Sequence, residues 1–91
     1  MLHFAAAEND VEAAEVMLEH GAAVNAIEAE YRSTPLAEAA KKGHVEMVNL
    51  LLKRGADPNM PREPWARPLA WAVEAPHEEI VEILRHHSAV G

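Results

Sequence analysis

The histidines are the residues of this sequence with the clearest capacity for metal chemistry. They are His3, His20, His44, His77, His86 and His87. A helical metal site commonly places two histidines four positions apart, as in the HExxH motif. No two of these histidines have that spacing, so we predict that the chain binds no metal ion.

Catalysis by a side-chain nucleophile also lacks support. Such an enzyme needs a nucleophile beside a base, or paired carboxylates in a cleft. The chain has no cysteine, and Ser33 and Ser88 lack the flanking glycines of a nucleophile elbow. There is no glycine-rich phosphate loop, and the acidic residues fall where we expect exposed helix faces. We therefore predict a protein that is not an enzyme and uses no cofactor.

Charge and hydropathy argue against two classes of partner. The net charge is −7 at pH 7 with neutral histidines, whereas a nucleic-acid binder needs a basic stripe to neutralise phosphates. No apolar stretch approaches the roughly 18 residues of a membrane span, and the N-terminus lacks a signal-peptide pattern. Without cysteine there are no disulfides, which suits a reducing compartment. We expect a cytoplasmic protein that binds neither nucleic acid nor membrane.

The elements that must position any functional residue recur along the chain. Residues 35–40 (PLAEAA) match residues 68–73 (PLAWAV) at an offset of 33, and residues 2–6 match residues 36–40 at an offset of 34. A period of this length is typical of stacked structural units. We expect one domain over residues 1–91, with units at about 1–26, 27–59 and 60–91.

The middle unit has the start and stop signals of two helices joined by a turn. Thr34 is a residue type that favours the N-cap position, and it precedes Pro35, which is tolerated in a first helical turn. Gly43 and Gly55 can each end a helix in the left-handed conformation. We predict helices near residues 2–8, 11–20, 35–42, 45–54, 68–75 and 78–87. The predicted buried residues are Leu36, Ala39, Val48, Leu51, Leu69, Ala72 and Leu84.

These motifs together resemble the ankyrin-repeat family. The resemblance rests on Thr34-Pro35-Leu36, Gly43-His44-Val45-Glu46, Val48, Leu50-Leu51, Gly55-Ala56-Asp57 and Asn59. It implies an all-α solenoid of stacked helix-turn-helix units with projecting hairpin loops. It also implies binding of a partner protein through those loops and the concave face, which is the surface of the first helix of each unit. The third unit departs most from the pattern, with Arg67, Pro76 and Ser88 at motif positions.

The candidate binding residues follow from this resemblance. Phe4, Glu38 and Trp71 occupy one equivalent position on the first helices, and the residues three and four positions further along share their face. Tryptophan, tyrosine and arginine are the residue types enriched at interface hot spots. The predicted partner-binding residues are Tyr31, Arg32, Glu38, Lys41, Lys42, Trp65, Arg67, Trp71 and Glu74.

Two alternatives accompany this interpretation. Phe4 and Trp71 could instead pack inwards, with the lysines serving only solubility. The chain could also be a structural or capping part of a longer repeat array, or a self-associating repeat protein. Arg85, at the position of the apolar Leu52, suggests a polar cap, so we expect a monomer.

Acidic residues repeated on the second helices, such as Glu12, Glu46 and Glu79, are expected to form a solvated convex face.

Overall fold

A computed structural model of the chain describes residues 2–27, 33–60, 67–74 and 76–87. Within these ranges, all regular elements longer than one residue are α-helices. They are α1 (Leu2–Glu8), α2 (Val11–Glu19), α3 (Pro35–Lys42), α4 (Val45–Lys53), α5 (Pro68–Glu74) and α6 (Glu78–His86). The predicted helices are confirmed, and the largest difference at any end is one residue. The tips of the predicted hairpin loops, residues 28–32 and 61–66, lie outside the described residues.

The helices form two layers. The first layer holds α1, α3 and α5 side by side in that order, and the second holds α2, α4 and α6 in the same order. Each helix also contacts its partner within the pair, so α1 packs on α2, α3 on α4 and α5 on α6. The three helix pairs therefore stack in sequence order, as the repeats predict.

Small side chains allow this close stacking. Ala6, Ala39, Ala40 and Ala72 are fully buried among the first-layer helices. Larger apolar side chains fill the space between the layers, and all seven residues predicted to be buried are buried. Alanine favours helix and adds little bulk, so neighbouring helices can pack closely.

Local signals at the helix ends explain where the elements begin and stop. The Thr34 hydroxyl accepts a hydrogen bond from the amide of Ala37 at 3.2 Å, which confirms Thr34 as an N-cap. Gly43 ends α3 with a φ of 79°. Asn9 takes the equivalent turn after α1 with a φ of 58°, because asparagine tolerates left-handed geometry better than most residues.

Histidines in the turns between paired helices join one unit to the previous one. The Nε2 of His44 donates to the carbonyl oxygen of Ala7 at 2.9 Å, and that of His77 donates to the carbonyl oxygen of Lys41 at 3.3 Å. Each bond satisfies a carbonyl oxygen at the C-terminal end of a first-layer helix, where intrahelical partners run out.

Asparagine adds a second polar link between the first two units. The Asn25 side chain donates to the carbonyl oxygen of Gly55 at 3.4 Å and accepts from the amide of Asp57 at 2.6 Å. Hydrophobic burial therefore supplies the bulk of the contact between units, while these directional bonds fix its register.

In the described part of the chain, every helix is too short and too polar to cross a lipid bilayer.

Gly43 provides a test of the link between the second and third units. A Cβ at Gly43 would lie 2.7 Å from Cε1 of His77, whereas a Cβ at Gly55 would meet nothing within 4 Å. Both glycines have positive φ, so alanine at either costs about 1–2 kcal/mol of backbone strain. Gly43→Ala should cost about 1 kcal/mol more, because His77 must move and its hydrogen bond weakens. Urea denaturation of both variants measures the difference.

A double-mutant cycle supplies the control. In a His77→Ala background, the cost of Gly43→Ala should fall to that of Gly55→Ala. An unchanged cost of Gly43→Ala in that background would show that the contact with His77 is not the cause.

Candidate functional site

The concave face of the second and third units carries a lysine paired with a tryptophan. The ammonium nitrogen of Lys41, in the last turn of α3, lies 4.9 Å from the ring centroid of Trp71 on α5. Lys41 is exposed and Trp71 is half-buried. This distance is within the range of a cation–π interaction, so the pair joins the two units at the surface.

The backbone of Lys41 is also held by the third unit. Its carbonyl oxygen accepts the hydrogen bond from His77 that fixes the stacking, while its side chain extends over Trp71. One residue thus contacts the neighbouring unit at two points. The sequence repeat indicated which residues share this face, but it did not reveal that His77 positions Lys41. The recurrence of histidine at positions 44 and 77 is the signal that could have suggested it.

The other candidate residues on the first helices have different surroundings. Lys42 is exposed beside Lys41, and Glu74 is exposed in the last turn of α5. Arg67 is half-buried just before α5, and its carbonyl oxygen accepts from the amide of Trp71 at 3.3 Å. Tyr31, Arg32 and Trp65 lie outside the described residues.

Glu38 does not lie on the exposed surface where we expected it. Its side chain is 6% exposed, and a carboxylate oxygen accepts from the Ser33 hydroxyl at 3.1 Å. The expectation of exposure was wrong because helical spacing places Glu38 on the concave face but does not show that Ser33 covers it. The inward packing considered for Phe4 is also wrong, since Phe4 is 57% exposed.

The cluster around Ser33 brings a serine, a histidine and a carboxylate together without the geometry of a catalytic triad. His3 donates from Nε2 to the backbone carbonyl oxygen of Ser33 at 2.7 Å, while the Ser33 hydroxyl bonds to Glu38. A triad would require the histidine to bond the hydroxyl. All three residues are buried, so this cluster ties the connection before α3 to the first unit.

The convex face is acidic and solvated, as predicted. The equivalent positions on the second helices are all exposed, and they hold Glu12, Glu15, Glu46, Asn49, Glu79 and Glu82. Among the described residues, no group of three or more histidine, aspartate or glutamate side chains converges as metal ligands would.

The Lys41–Trp71 pair leads to a stability prediction. Replacing Lys41 by glutamine removes the cation from the ring and should lower the free energy of unfolding by about 0.5–1 kcal/mol. Lys42→Gln is the matched control, because it removes the same charge from the neighbouring exposed position. Urea denaturation of both variants gives the comparison. Equal effects of the two substitutions would show that the pair adds no stability.

Comparison with known proteins places these helix pairs in a family. The family model described as ankyrin repeats (3 copies) matches residues 1–62. The human protein named transient receptor potential cation channel subfamily A member 1 is 34% identical over 90 residues, which cover 98% of this chain and 8% of that protein. Palmitoyltransferase ZDHHC13 of Mus musculus is 40% identical over 60 residues, 66% of this chain and 10% of that enzyme.

A further match has the same extent. Palmitoyltransferase ZDHHC17 of Danio rerio is 40% identical over 60 residues, again 66% of this chain and 10% of the relative. The chain thus spans at most about a tenth of the length of these relatives. The matched sequence, the repeat period and the stacked helix pairs all agree, and the chain belongs to the ankyrin-repeat family.

Proposed function

We propose that this chain is a non-catalytic module that binds a partner protein through its concave face. Ankyrin repeats generally mediate protein–protein interaction. The observation that carries the proposal for this chain is the exposed Lys41 beside the half-buried Trp71, with Lys42 next to them. Aromatic and basic side chains in one patch are the composition that interface hot spots favour.

The chemistry of the patch indicates the kind of partner. Lys41 and Lys42 are two exposed cations on a chain of net charge −7. Because Lys41 covers the Trp71 ring, a partner meets the ammonium group and the remaining ring surface together. A carboxylate next to an apolar side chain complements such a surface, since the charge pairs with lysine and the apolar group packs on tryptophan.

The remaining candidate residues have supporting roles in this proposal. Arg67, just before α5, extends the surface beside Trp71. Tyr31, Arg32 and Trp65 remain candidates from the sequence alone. Glu74 adds a carboxylate that sets partner specificity by repelling acidic groups at that end. Glu38 acts beneath the surface, where it fixes Ser33 and the connection into α3.

A structural role is the second candidate function. The relatives that match this chain are many times longer than the matched segment. In proteins of that size, a helix-pair stack can serve to connect neighbouring units rather than to bind a partner. The two functions differ in what they require of Trp71 and Lys42, because a purely structural role needs no exposed anchor.

Affinity capture followed by a matched alanine series tests the proposal. Trp71→Ala should weaken binding of the captured partner by about 2 kcal/mol, roughly a thirtyfold rise in Kd, if Trp71 is a central anchor. Lys42→Ala should weaken it less and should reduce its dependence on salt. Isothermal titration at two salt concentrations measures both effects, and circular dichroism checks the fold of each variant.

Glu46→Ala and Glu79→Ala are the controls on the convex face, and they should leave the affinity nearly unchanged. If the glutamate variants lose binding while Trp71→Ala, Lys41→Ala and Lys42→Ala bind normally, the partner uses the opposite face. If all five variants bind equally, neither face carries the interaction.

A further inference from the structure

Charges of opposite sign follow one another along the concave face from unit to unit. Glu8 lies in the last turn of α1, Lys41 and Lys42 in the last turn of α3, and Glu74 in the last turn of α5. All four side chains are exposed. Because α1, α3 and α5 lie side by side in that order, the face carries a carboxylate, two ammonium groups and a carboxylate in succession. We call these four residues the charge row.

Hydrogen bonds between units show that the members of the charge row occupy matching positions. The carbonyl oxygens of Ala7 and Lys41 each accept from the turn histidine of the following unit. Ala7 and Lys41 therefore have the same place in successive units, so Glu8 stands one unit before Lys42. At the 33-residue offset, Lys41 corresponds to Glu74.

The exposure of the charge row does not depend on where the sequence begins or ends. The middle unit has a neighbour on each side, since α3 packs against both α1 and α5. Lys41 and Lys42 are nevertheless exposed there. A further unit stacked beside α1 or α5 would therefore leave the matching residues, Glu8 and Glu74, at the surface as well.

The charges of the row are available to a partner. Among the described residues, none of Glu8, Lys42 and Glu74 has an opposite charge within 4 Å. Packed helices lie about 8–10 Å apart, so each unit's charge stands about one such step from the next. At that separation the charges repel or attract an approaching partner locally, because the Debye length at physiological salt is similar, about 8 Å.

A uniformly acidic partner does not fit this row. Carboxylates that pair with Lys42 would be followed by others beside Glu8 and Glu74, where like charges repel. A partner with an acidic residue at the centre and a basic residue on each side meets an opposite charge in all three units.

The step between the helices also sets the spacing of these residues along the partner. Alanine lines the contacts between the first-layer helices, so the step should not exceed the usual range of about 8–10 Å. A polyproline II segment makes one turn in three residues and advances about 9 Å, which matches the step. Side chains on one face of a β-strand recur at about 7 or 13 Å, and those on an α-helix two turns apart at about 10.5 Å.

We propose that the concave face binds an extended segment of the partner protein that crosses α1, α3 and α5, and whose first, fourth and seventh residues are basic, acidic and basic. The central carboxylate pairs with Lys42, and the flanking cations pair with Glu8 and Glu74. An apolar residue next to the carboxylate packs on Trp71. This inference rests on the proposed function and adds to it the order and spacing of the charges that the partner must carry.

Two synthetic peptides of the same composition test the order of the charges. Acetyl-Arg-Pro-Ala-Glu-Leu-Pro-Arg-amide has the proposed order, and acetyl-Glu-Pro-Ala-Arg-Leu-Pro-Arg-amide exchanges its first and fourth residues. The first peptide should bind the full chain about tenfold more tightly in isothermal titration at low salt. Equal affinities would overturn the inference, and so would the absence of binding by either peptide at millimolar concentration.

Charge reversal in the chain tests the position of each end of the peptide. Lysine is favourable at the C-terminal end of a helix, so Glu8→Lys and Glu74→Lys should leave the fold intact, which circular dichroism checks. Each should weaken binding of the first peptide by about fivefold or more. A peptide with glutamate in place of one terminal arginine should restore binding to one of the two variants and not to the other. Restoration of both variants by the same peptide would contradict the proposed register.

Glu15→Lys and Glu82→Lys are the matched controls. They change the net charge by the same amount at exposed positions on the convex face of the same two units. Both should change the affinity by less than about twofold, because they lie away from the charge row. A loss equal to that of Glu8→Lys would show that the net charge of the chain, and not the row, attracts the peptide.

Trp71→Ala distinguishes a failure of this inference from a failure of the proposed function. If Trp71→Ala weakens both peptides equally while their affinities for the wild type are the same, the concave face binds but the order of charges is wrong. If Trp71→Ala and Lys42→Ala leave the binding of both peptides unchanged, the peptides bind elsewhere and both proposals lose their support.

Discussion

Each helix pair of this chain depends on its neighbour to cover the side that it cannot bury alone. A pair of helices of fewer than ten residues has too little internal core to be stable, so the core must continue across unit boundaries. The alanines of the first-layer helices make this possible, because they let α1, α3 and α5 approach closely. Any larger side chain at Ala40 or Ala72 would push the units apart and expose the apolar residues between them.

The histidine hydrogen bonds fix the register in which neighbouring units stack, which burial of apolar side chains alone does not define. Apolar contact alone permits sliding, whereas a hydrogen bond from His44 to Ala7 or from His77 to Lys41 has one correct position. The second of these bonds also places Lys41 beside Trp71. The surface that we propose for partner binding is therefore a product of stacking, and it does not exist within any single unit.

Much of this architecture could be predicted from the sequence. Helix-starting and helix-ending residues such as Thr34 and Gly43 act locally, so the helix bounds followed from the sequence pattern. The apolar spacing repeats with each unit, so the core positions followed from it as well. The burial of Glu38 did not follow, because it depends on a hydroxyl from the preceding connection. Residues that act across unit boundaries, such as His77, need three-dimensional contacts to assign their partners.

We propose that the concave face of the second and third units binds a partner protein. Backbone amide chemical shifts of the isotope-labelled chain, recorded while the captured partner is added, locate the interface residue by residue. The largest shift changes should lie at Lys41, Lys42, Trp71 and Glu74. Largest changes at Glu46, Asn49, Glu79 and Glu82, with the concave face unaffected, would place the interface on the convex face instead.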